Sequence, residues 1–234
     1  MELYIEKPYN KEFEAQVLEV NQDKFIVLDK SLFYPNSGGQ PYDTGYFLKD
    51  NKRFNVVYVG KFSGKVSHEI DKLGLKVGDK IKGFIDWDRR YKLMRYHTAA
   101  HILSGLLFKE VNANITGNQL SLDKTRIDFS LDNFDRDLLK SFETKFNEIV
   151  DKAYEVKSEI ISREEAEQMP ELVKLAKGLP PEVKEIRVVN IEGFDKQACG
   201  GTHVKNVKEV GHIELIDLEN KGKNNRRIYF RFRE

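Results

Sequence analysis

The sequence is poor in cysteine, proline and tryptophan and has no long hydrophobic run. Of its 234 residues, one is cysteine, six are proline and one is tryptophan. A single cysteine excludes an internal disulfide. No apolar segment approaches the roughly 18 residues needed to cross a bilayer, and residues 1–7 do not resemble a signal peptide. We therefore expect a cytoplasmic protein with no membrane partner.

An excess of one charge is also absent. The chain has 39 lysines and arginines against 38 aspartates and glutamates, a formal net charge of +1. Proteins that coat nucleic acid non-specifically are more basic, so any nucleic-acid contact must come from local patches. With 40% hydrophobic and 33% charged residues, the composition is that of a globular chain rather than a disordered one.

The hydrophobic pattern changes near residue 87. Short strand-like segments separated by Asn, Asp and Gly fill residues 1–87 and predict a small barrel or sandwich, of which we take the barrel. Asp88 is a good helix N-cap, and apolar residues follow at helical spacing to residue 111. A second helix over 135–153 and further strands complete an α+β domain over residues 88–234. The predicted fold class is therefore α+β, with the long helix packed on an antiparallel sheet.

Two short motifs indicate a metal site. His97 and His101 are four residues apart on the long helix, which makes their side chains neighbours. Cys199 and His203 flank two glycines and a threonine, and the glycines allow the backbone to turn tightly. Three imidazoles and one thiolate form a donor set that favours one Zn²⁺ ion. The spacing does not say whether all four bind at once, and each half alone is also compatible with an ordinary buried histidine or cysteine.

These motifs, with others in the same order, resemble a known family. H-x-x-x-H followed about a hundred residues later by Cys199-Gly-Gly-Thr-His203 resembles the editing domain shared by alanyl- and threonyl-tRNA synthetases. Arg126-Ile-Asp-Phe129 is similar to a strand of the alanyl branch, and residues 162–169 are similar to a segment of freestanding editing proteins. Residues 33–45 resemble the glycine-rich stretch of the longer forms. The chain is too short for a synthetase core, so the resemblance is to the freestanding AlaX family.

The resemblance implies an activity and a set of residues. AlaX proteins hydrolyse the ester of alanine tRNA mischarged with serine or glycine, which keeps translation accurate. Thr116 corresponds to a threonine that meets the serine hydroxyl, and Gln119 to a glutamine of the synthetase branch. Thr116 beside Gly117 also fits an ordinary turn. The resemblance leaves open whether zinc activates water, polarises the carbonyl or holds the α-amine.

Gly38, Gly39 and Gln40 lie in the glycine-rich stretch. A Gly-Gly-Gln tripeptide also acts on a tRNA ester in release factors, but the surrounding residues match the AlaX stretch instead. We expect these three residues to approach the substrate, and a plain turn between strands is the alternative.

Basic residues cluster at the start of the long helix and near the C-terminus. Contacts to the phosphates of an acceptor stem require lysine or arginine, and solvated faces of a helix or strand are the alternative. The residues that we assign to tRNA contacts are Arg89, Arg90, Lys92, Arg226 and Arg227.

The sequence therefore predicts a zinc-dependent aminoacyl-tRNA deacylase. A non-catalytic, zinc-stabilised RNA-binding module is the main alternative, and a small-molecule metallohydrolase is a further one. The helix motif lacks the glutamate of H-E-x-x-H, which disfavours peptidase chemistry. His68 and His212 have no partner at ligand spacing and are predicted to be structural or surface residues.

Overall fold

The computed structural model describes residues 1–131, 136–169, 172 and 182–233. Contacts between Cα atoms divide the chain into two compact units. Unit 1 contains Met1–Met94 and Leu120–Leu122, and unit 2 contains Arg95–Gln119 and Asp123–Glu234. The sequence pattern places the domain boundary near residue 87, and the limit of the first segment lies a few residues further on, inside a helix.

Unit 1 is a closed barrel of six antiparallel strands, preceded by the short helix α1 (Leu3–Glu6). The strands are β1 (Glu12–Asn21), β2 (Phe25–Leu28), β3 (Gly45–Lys49), β4 (Lys52–Phe62), β5 (Lys65–Ile70) and β6 (Lys80–Ile85). Their order around the barrel is β1-β2-β5-β4-β3-β6. The N-terminal β-barrel predicted from the sequence is confirmed.

Buried and exposed residues alternate along β1, as expected for a strand in the wall of a barrel. Phe13, Ala15 and Val17 are buried while the residues between them are exposed, as expected for a strand with one face toward a core. Gly83 on β6 pairs with Phe13. A Cβ atom at Gly83 would lie 2.3 Å from the Phe13 ring, so the glycine makes room for that ring in the core.

Unit 2 combines two antiparallel sheets with helices, in agreement with the predicted α+β class. The three-stranded sheet has the order β11-β10-β9, and the four-stranded sheet has the order β12-β13-β8-β7. The strands are β7 (Ile115–Gln119), β8 (Thr125–Ser130), β9 (Val156–Ser162), β10 (Glu185–Ile191), β11 (Asp195–Ala198), β12 (Ile213–Asn220) and β13 (Asn225–Phe232).

The helices are α2 (Trp87–Val111), α3 (Arg136–Asp151), α4 (Arg163–Gln168) and a short 3₁₀ turn over Val207–Glu209. The predicted start of the second helix, Asp135, lies outside the described residues. Among the residues that the structure describes, no helix combines the length and apolar character needed to span a membrane.

Aromatic and polar contacts fix the position of α2 within unit 2. The Tyr96 ring stacks on Phe232 of β13 with ring centroids 4.0 Å apart, and its hydroxyl donates to Asp123 O at 2.9 Å. The Arg95 guanidinium donates to Val210 O, with Nη2 at 2.8 Å. These two residues directly precede His97 and therefore set the rotation of the helix at the point where the histidines emerge.

Candidate metal centre

His97 and His101 lie one helical turn apart on α2. Their ring centroids are 5.4 Å apart, as expected for side chains at i and i+4. Both are buried, with 7% and 6% of their surface exposed. The helix thus presents two imidazoles to the interior of unit 2.

The turn that follows β11 brings Cys199 and His203 to the same place. The His203 ring lies 4.4 Å from the His97 ring and 4.6 Å from the His101 ring, measured between centroids. Cys199 Sγ is 3.3 Å from His97 Nε2 and 3.4 Å from His203 Nε2. One ligand atom from each of the four residues lies within 4.8 Å of the others. The structure therefore brings together all four residues that the spacing selected.

The size of this cluster fits a single tetrahedral ion. Nitrogen and sulfur ligands at about 2.0–2.3 Å from Zn²⁺ are separated by about 3.5 Å, close to the two Sγ–Nε2 distances in the cluster. Nδ1 of His101 is buried and makes no hydrogen bond within the described residues. An unsatisfied buried ring nitrogen is costly, and it is a sign that a further group belongs in the site.

Burial and neighbouring charges keep His97 and His203 in the neutral form that can bind a metal. Burial lowers the pKa of His97 to about 4, and the nearby Arg187 adds to the effect. Burial, followed by repulsion from His97 and His101, also holds the pKa of His203 well below its usual value. Both imidazoles are therefore neutral at pH 7 and keep a lone pair for a metal.

Cys199 is shifted toward its thiolate form. Burial raises the pKa of this thiol, but attraction to His101, the Gly201 N–H hydrogen bond and Arg187 together bring the pKa below its usual value. The thiolate is the form of cysteine that binds metals.

Two further residues, Thr98 and Gln197, connect the turn and β11 to α2. Thr98 is fully buried, and its Oγ1 lies 3.1 Å from His203 Nδ1 and accepts a hydrogen bond from Val204 N at 3.3 Å. Gln197 Nε2 donates to Ser104 Oγ at 2.7 Å, one turn after His101 on α2. These contacts tie β11 and the following turn to the helix.

Sequence reasoning did not select Thr98, Gln197 or Arg187. Arg187 on β10 donates from Nη1 to Cys199 O at 2.6 Å and to Gly201 O at 3.0 Å. Thr98 directly follows His97, which is a weak signal, but its contact to a residue 105 positions away requires the fold. Arg187 carries no local signal, because a single arginine in a strand is common.

Thr116 and Gln119 lie in β7, a strand of the four-stranded sheet. Both are exposed. Thr116 Oγ1 donates to Asn225 Oδ1 at 3.1 Å, and Gln119 Oε1 accepts from Arg126 Nε at 3.0 Å. Their predicted contacts with substrate stay a prediction.

Gly38 and Gly39 form the tip of a tight turn in unit 1. Ser37 and Gln40 exchange backbone hydrogen bonds, and the glycines have φ angles of 58° and 82°. Two successive positive φ angles are typical of a two-residue hairpin turn that favours glycine. The glycines are exposed, whereas Gln40 is completely buried. The backbone of the two glycines is therefore accessible at the surface, whereas the Gln40 side chain is not.

Arg90 is in the protein interior. Its side chain has no exposed surface, and its Nε lies 2.9 Å from Oδ1 of the equally buried Asp43. The same guanidinium donates to Pro8 O and Leu32 O. Arg90 has no surface to offer a phosphate, so we remove it from the proposed tRNA contacts. Arg89 and Lys92 keep partial exposure.

The two arginines near the C-terminus make internal contacts. Arg226 is buried, and its Nη1 donates to Asn220 Oδ1 at 3.1 Å and to Gly222 O at 2.7 Å, which closes the β12–β13 turn. Arg227 makes two hydrogen bonds to Asp128, at 2.7 and 2.9 Å. Arg226, like Arg90, is therefore buried and bonded to internal groups, so we remove it from the proposed tRNA contacts. Arg227 is partly exposed and stays among them.

The other two histidines are separate from the cluster. His68 is completely buried in the barrel, between Ser31 Oγ at 2.7 Å and Ile26 O at 2.9 Å. His212 is a surface residue whose Nε2 lies 2.8 Å from Asp151 Oδ1. Both fit the structural and surface roles expected from the sequence.

Two family models match the chain. Residues 3–89 match the class II (A) tRNA synthetases, and residues 186–229 match the second additional domain of threonyl- and alanyl-tRNA synthetases. The first match covers the barrel and the second covers Cys199 and His203. The chain is therefore similar to the class of proteins that share domains with threonyl- and alanyl-tRNA synthetases.

Relatives of similar length define the family more closely. The chain is 53% identical to the alanyl-tRNA editing protein AlaX-M of Methanosarcina barkeri, over 97% of both chains. It is 43% identical to AlaX-M of Saccharolobus solfataricus, over 98% of this chain and 97% of the relative. It is also 41% identical to the alanine–tRNA ligase of Pyrococcus abyssi over 93% of this chain, but only 24% of that ligase. The chain belongs to the AlaX-M family of alanyl-tRNA editing proteins.

Proposed function

We propose that this protein is a trans-editing hydrolase that cleaves the ester joining serine or glycine to alanine tRNA. The observation that carries the proposal is the His97–His101–Cys199–His203 cluster in a chain that aligns over 97% of its length with an alanyl-tRNA editing protein. A synthetase pocket for alanine cannot strongly reject glycine or serine, since one methylene or one hydroxyl changes binding by only about 1–3 kcal/mol. A second hydrolytic site removes the resulting errors.

The four clustered residues are proposed to hold one zinc ion. Their donor set and their separations fit Zn²⁺, which when bound supplies a Lewis acid and an anchor for the substrate. With all four residues bound, a tetrahedral ion would have no open position, so the aminoacyl group would reach it only if the coordination expanded to five or one ligand were released. Under that condition the ion would position the aminoacyl group and polarise its carbonyl, and we favour this role over delivery of a separate hydroxide. Thr116 is proposed to read the serine hydroxyl, because a hydroxyl can both donate and accept.

The proposed tRNA partner contacts the protein through its acceptor stem. Arg89 and Lys92 form one candidate phosphate-binding cluster and Arg227 belongs to the other. Phosphate contacts release counterions, so the KM for deacylation is expected to rise steeply with salt. A KM that stays constant as salt increases would argue against such contacts.

The proposal is tested with alanine tRNA charged with serine, glycine or alanine. Each substrate is incubated with the full-length protein that has been loaded with zinc, and with protein treated with a chelator. We expect loss of the seryl and glycyl esters, retention of the alanyl ester, and loss of activity after metal removal that zinc restores. His97→Ala serves as the matched variant that lacks one metal ligand.

Each alternative has its own outcome in this experiment. Zinc binding without hydrolysis of any of the three esters would support a non-catalytic RNA-binding module. Hydrolysis that continues at the same rate in chelator would support a deacylase whose activity does not depend on zinc. Equal loss of all three esters would contradict an editing role.

A further inference from the structure

Arg187 holds the turn that supplies two of the four clustered residues. Its Nη1 donates to Cys199 O at 2.6 Å and to Gly201 O at 3.0 Å. The backbone of the same residue contributes as well, because Cys199 N donates to Arg187 O at 3.1 Å. One residue of β10 thus fixes the chain on both sides of Gly200.

Gly200, at the centre of the turn, makes no side-chain contact. Gly200 is exposed, and a Cβ atom built on it would meet no other atom within 4 Å. Glycine loses more conformational freedom on ordering than any other residue, and two glycines follow each other here. Inside the turn, Gly201 N donates to Cys199 Sγ at 3.3 Å. The contacts from Arg187 therefore restrain a segment whose two adjacent glycines would otherwise allow many backbone conformations.

The chemistry of the contact suits this task. A guanidinium that donates to carbonyl groups makes charge-assisted hydrogen bonds, which are stronger than neutral ones and directional. The planar group at the end of the arginine side chain presents its donors in a fixed geometry, whereas lysine places a compact charge on a flexible stem. Lysine at this position would keep the charge without the planar geometry, and glutamine would remove the charge, so the two contributions can be measured separately.

We propose that Arg187 is a positioning residue for the metal centre. By holding the Cys199 and Gly201 carbonyls, it sets Cys199 Sγ and the His203 ring at the separation that a single ion requires. The inference rests on the metal site described under the proposed function. Hydrogen-bonding partners of metal ligands commonly change metal affinity by about 10–100-fold, and we expect Arg187 to fall in this range.

The test compares zinc binding by full-length wild type, Arg187→Gln and Arg187→Lys. Arg53→Gln is the matched control, because Arg53 Nε donates to Asn55 Oδ1 at 2.8 Å in the barrel. Zinc Kd is measured by competition with a chelator, and Co²⁺ spectra report thiolate coordination and tetrahedral geometry. We expect Arg187→Gln to raise the zinc Kd by about 10–100-fold and to alter the Co²⁺ bands. Arg187→Lys should show a smaller effect of the same kind, and Arg53→Gln should show none.

Thermal unfolding with and without zinc separates positioning from general stability. A purely structural role lowers Tm equally in metal-free and zinc-loaded protein, whereas a positioning role reduces the increase in Tm that zinc produces. If Arg187→Gln does not fold, the same comparison with Arg187→Lys decides.

An unchanged Kd and an unchanged Co²⁺ spectrum in the variants would overturn the role of Arg187 and leave the proposed function intact. Failure of the wild type to bind zinc would instead overturn the metal site itself.

Discussion

The hydroxyl of Thr98 orients His203 across 105 positions of the chain. Thr98 Oγ1 lies 3.1 Å from His203 Nδ1, and the other ring nitrogen, Nε2, faces Cys199 Sγ at 3.4 Å. When Nδ1–H donates to the hydroxyl, the ring is in the tautomer in which Nε2 carries the lone pair for a metal. The helix that carries His97 therefore also orients His203, which comes from a turn distant in the sequence.

Replacing Thr98 by valine removes this hydroxyl with little change in volume. We expect Thr98→Val to weaken zinc binding by about 10-fold, at the lower end of the range for partners of metal ligands. The free energy of unfolding should fall by about 1–3 kcal/mol, because Val204 N–H also loses its buried acceptor. Chelator competition and urea unfolding measure the two quantities. Thr98→Ser, which keeps the hydroxyl, is the control, and equal zinc affinity in both variants would contradict the orienting role.

Features of the structure that depend on short-range periodicity in the sequence were predictable. Alternation of buried and exposed residues along β1 indicates a strand, and the i, i+4 spacing places His97 and His101 side by side. The pairing of this histidine motif with Cys199 and His203 was also predictable, since the four residues share one chemistry.

Contacts between distant residues of different chemistry were not predictable. The charge run at the start of α2 suggested phosphate contacts for Arg90, but the fold pairs it with Asp43, 47 positions earlier. The segment around Thr116 has the composition of a turn, yet it forms β7 because β8 supplies its hydrogen-bonding partners. In both cases tertiary contacts override the local pattern.

The proposed role of Thr116 is to accept a hydrogen bond from the hydroxyl of serine. Its hydroxyl donates to Asn225 Oδ1, which leaves lone pairs on Oγ1 for a substrate hydroxyl. We expect Thr116→Val to lower kcat/KM for seryl-tRNA by about 10-fold, the effect of one hydrogen bond of about 1.4 kcal/mol. The loss for glycyl-tRNA should be smaller, because glycine has no hydroxyl. Thr116→Ser keeps the acceptor and should stay near wild type, while an equal loss on both substrates would exclude Thr116 from serine recognition.

The buried pair of Arg90 and Asp43 predicts a large effect on stability. Both side chains are fully buried, and Asp43 Oδ2 also accepts from Tyr34 N at 2.6 Å. Asp43→Asn leaves the arginine charge uncompensated and should lower the free energy of unfolding by about 3–5 kcal/mol. Urea unfolding measures it. The double variant Asp43→Asn/Arg90→Met should lose less than the sum of the single losses, and strict additivity would show that the two residues do not act as a pair.

His68 predicts how the barrel responds to acid. Burial lowers the pKa of His68 to about 4, whereas in the unfolded chain it is about 6.5. The unfolded state therefore binds the extra proton first, and the contribution of His68 to stability, about 3 kcal/mol, is lost as the pH falls from about 6.5 to about 4. Urea unfolding of metal-free protein at several pH values measures this loss. His68→Gln can still form hydrogen bonds but does not titrate, so its stability should depend less on pH in this window. Identical pH profiles for the variant and the wild type would show that His68 does not control the response.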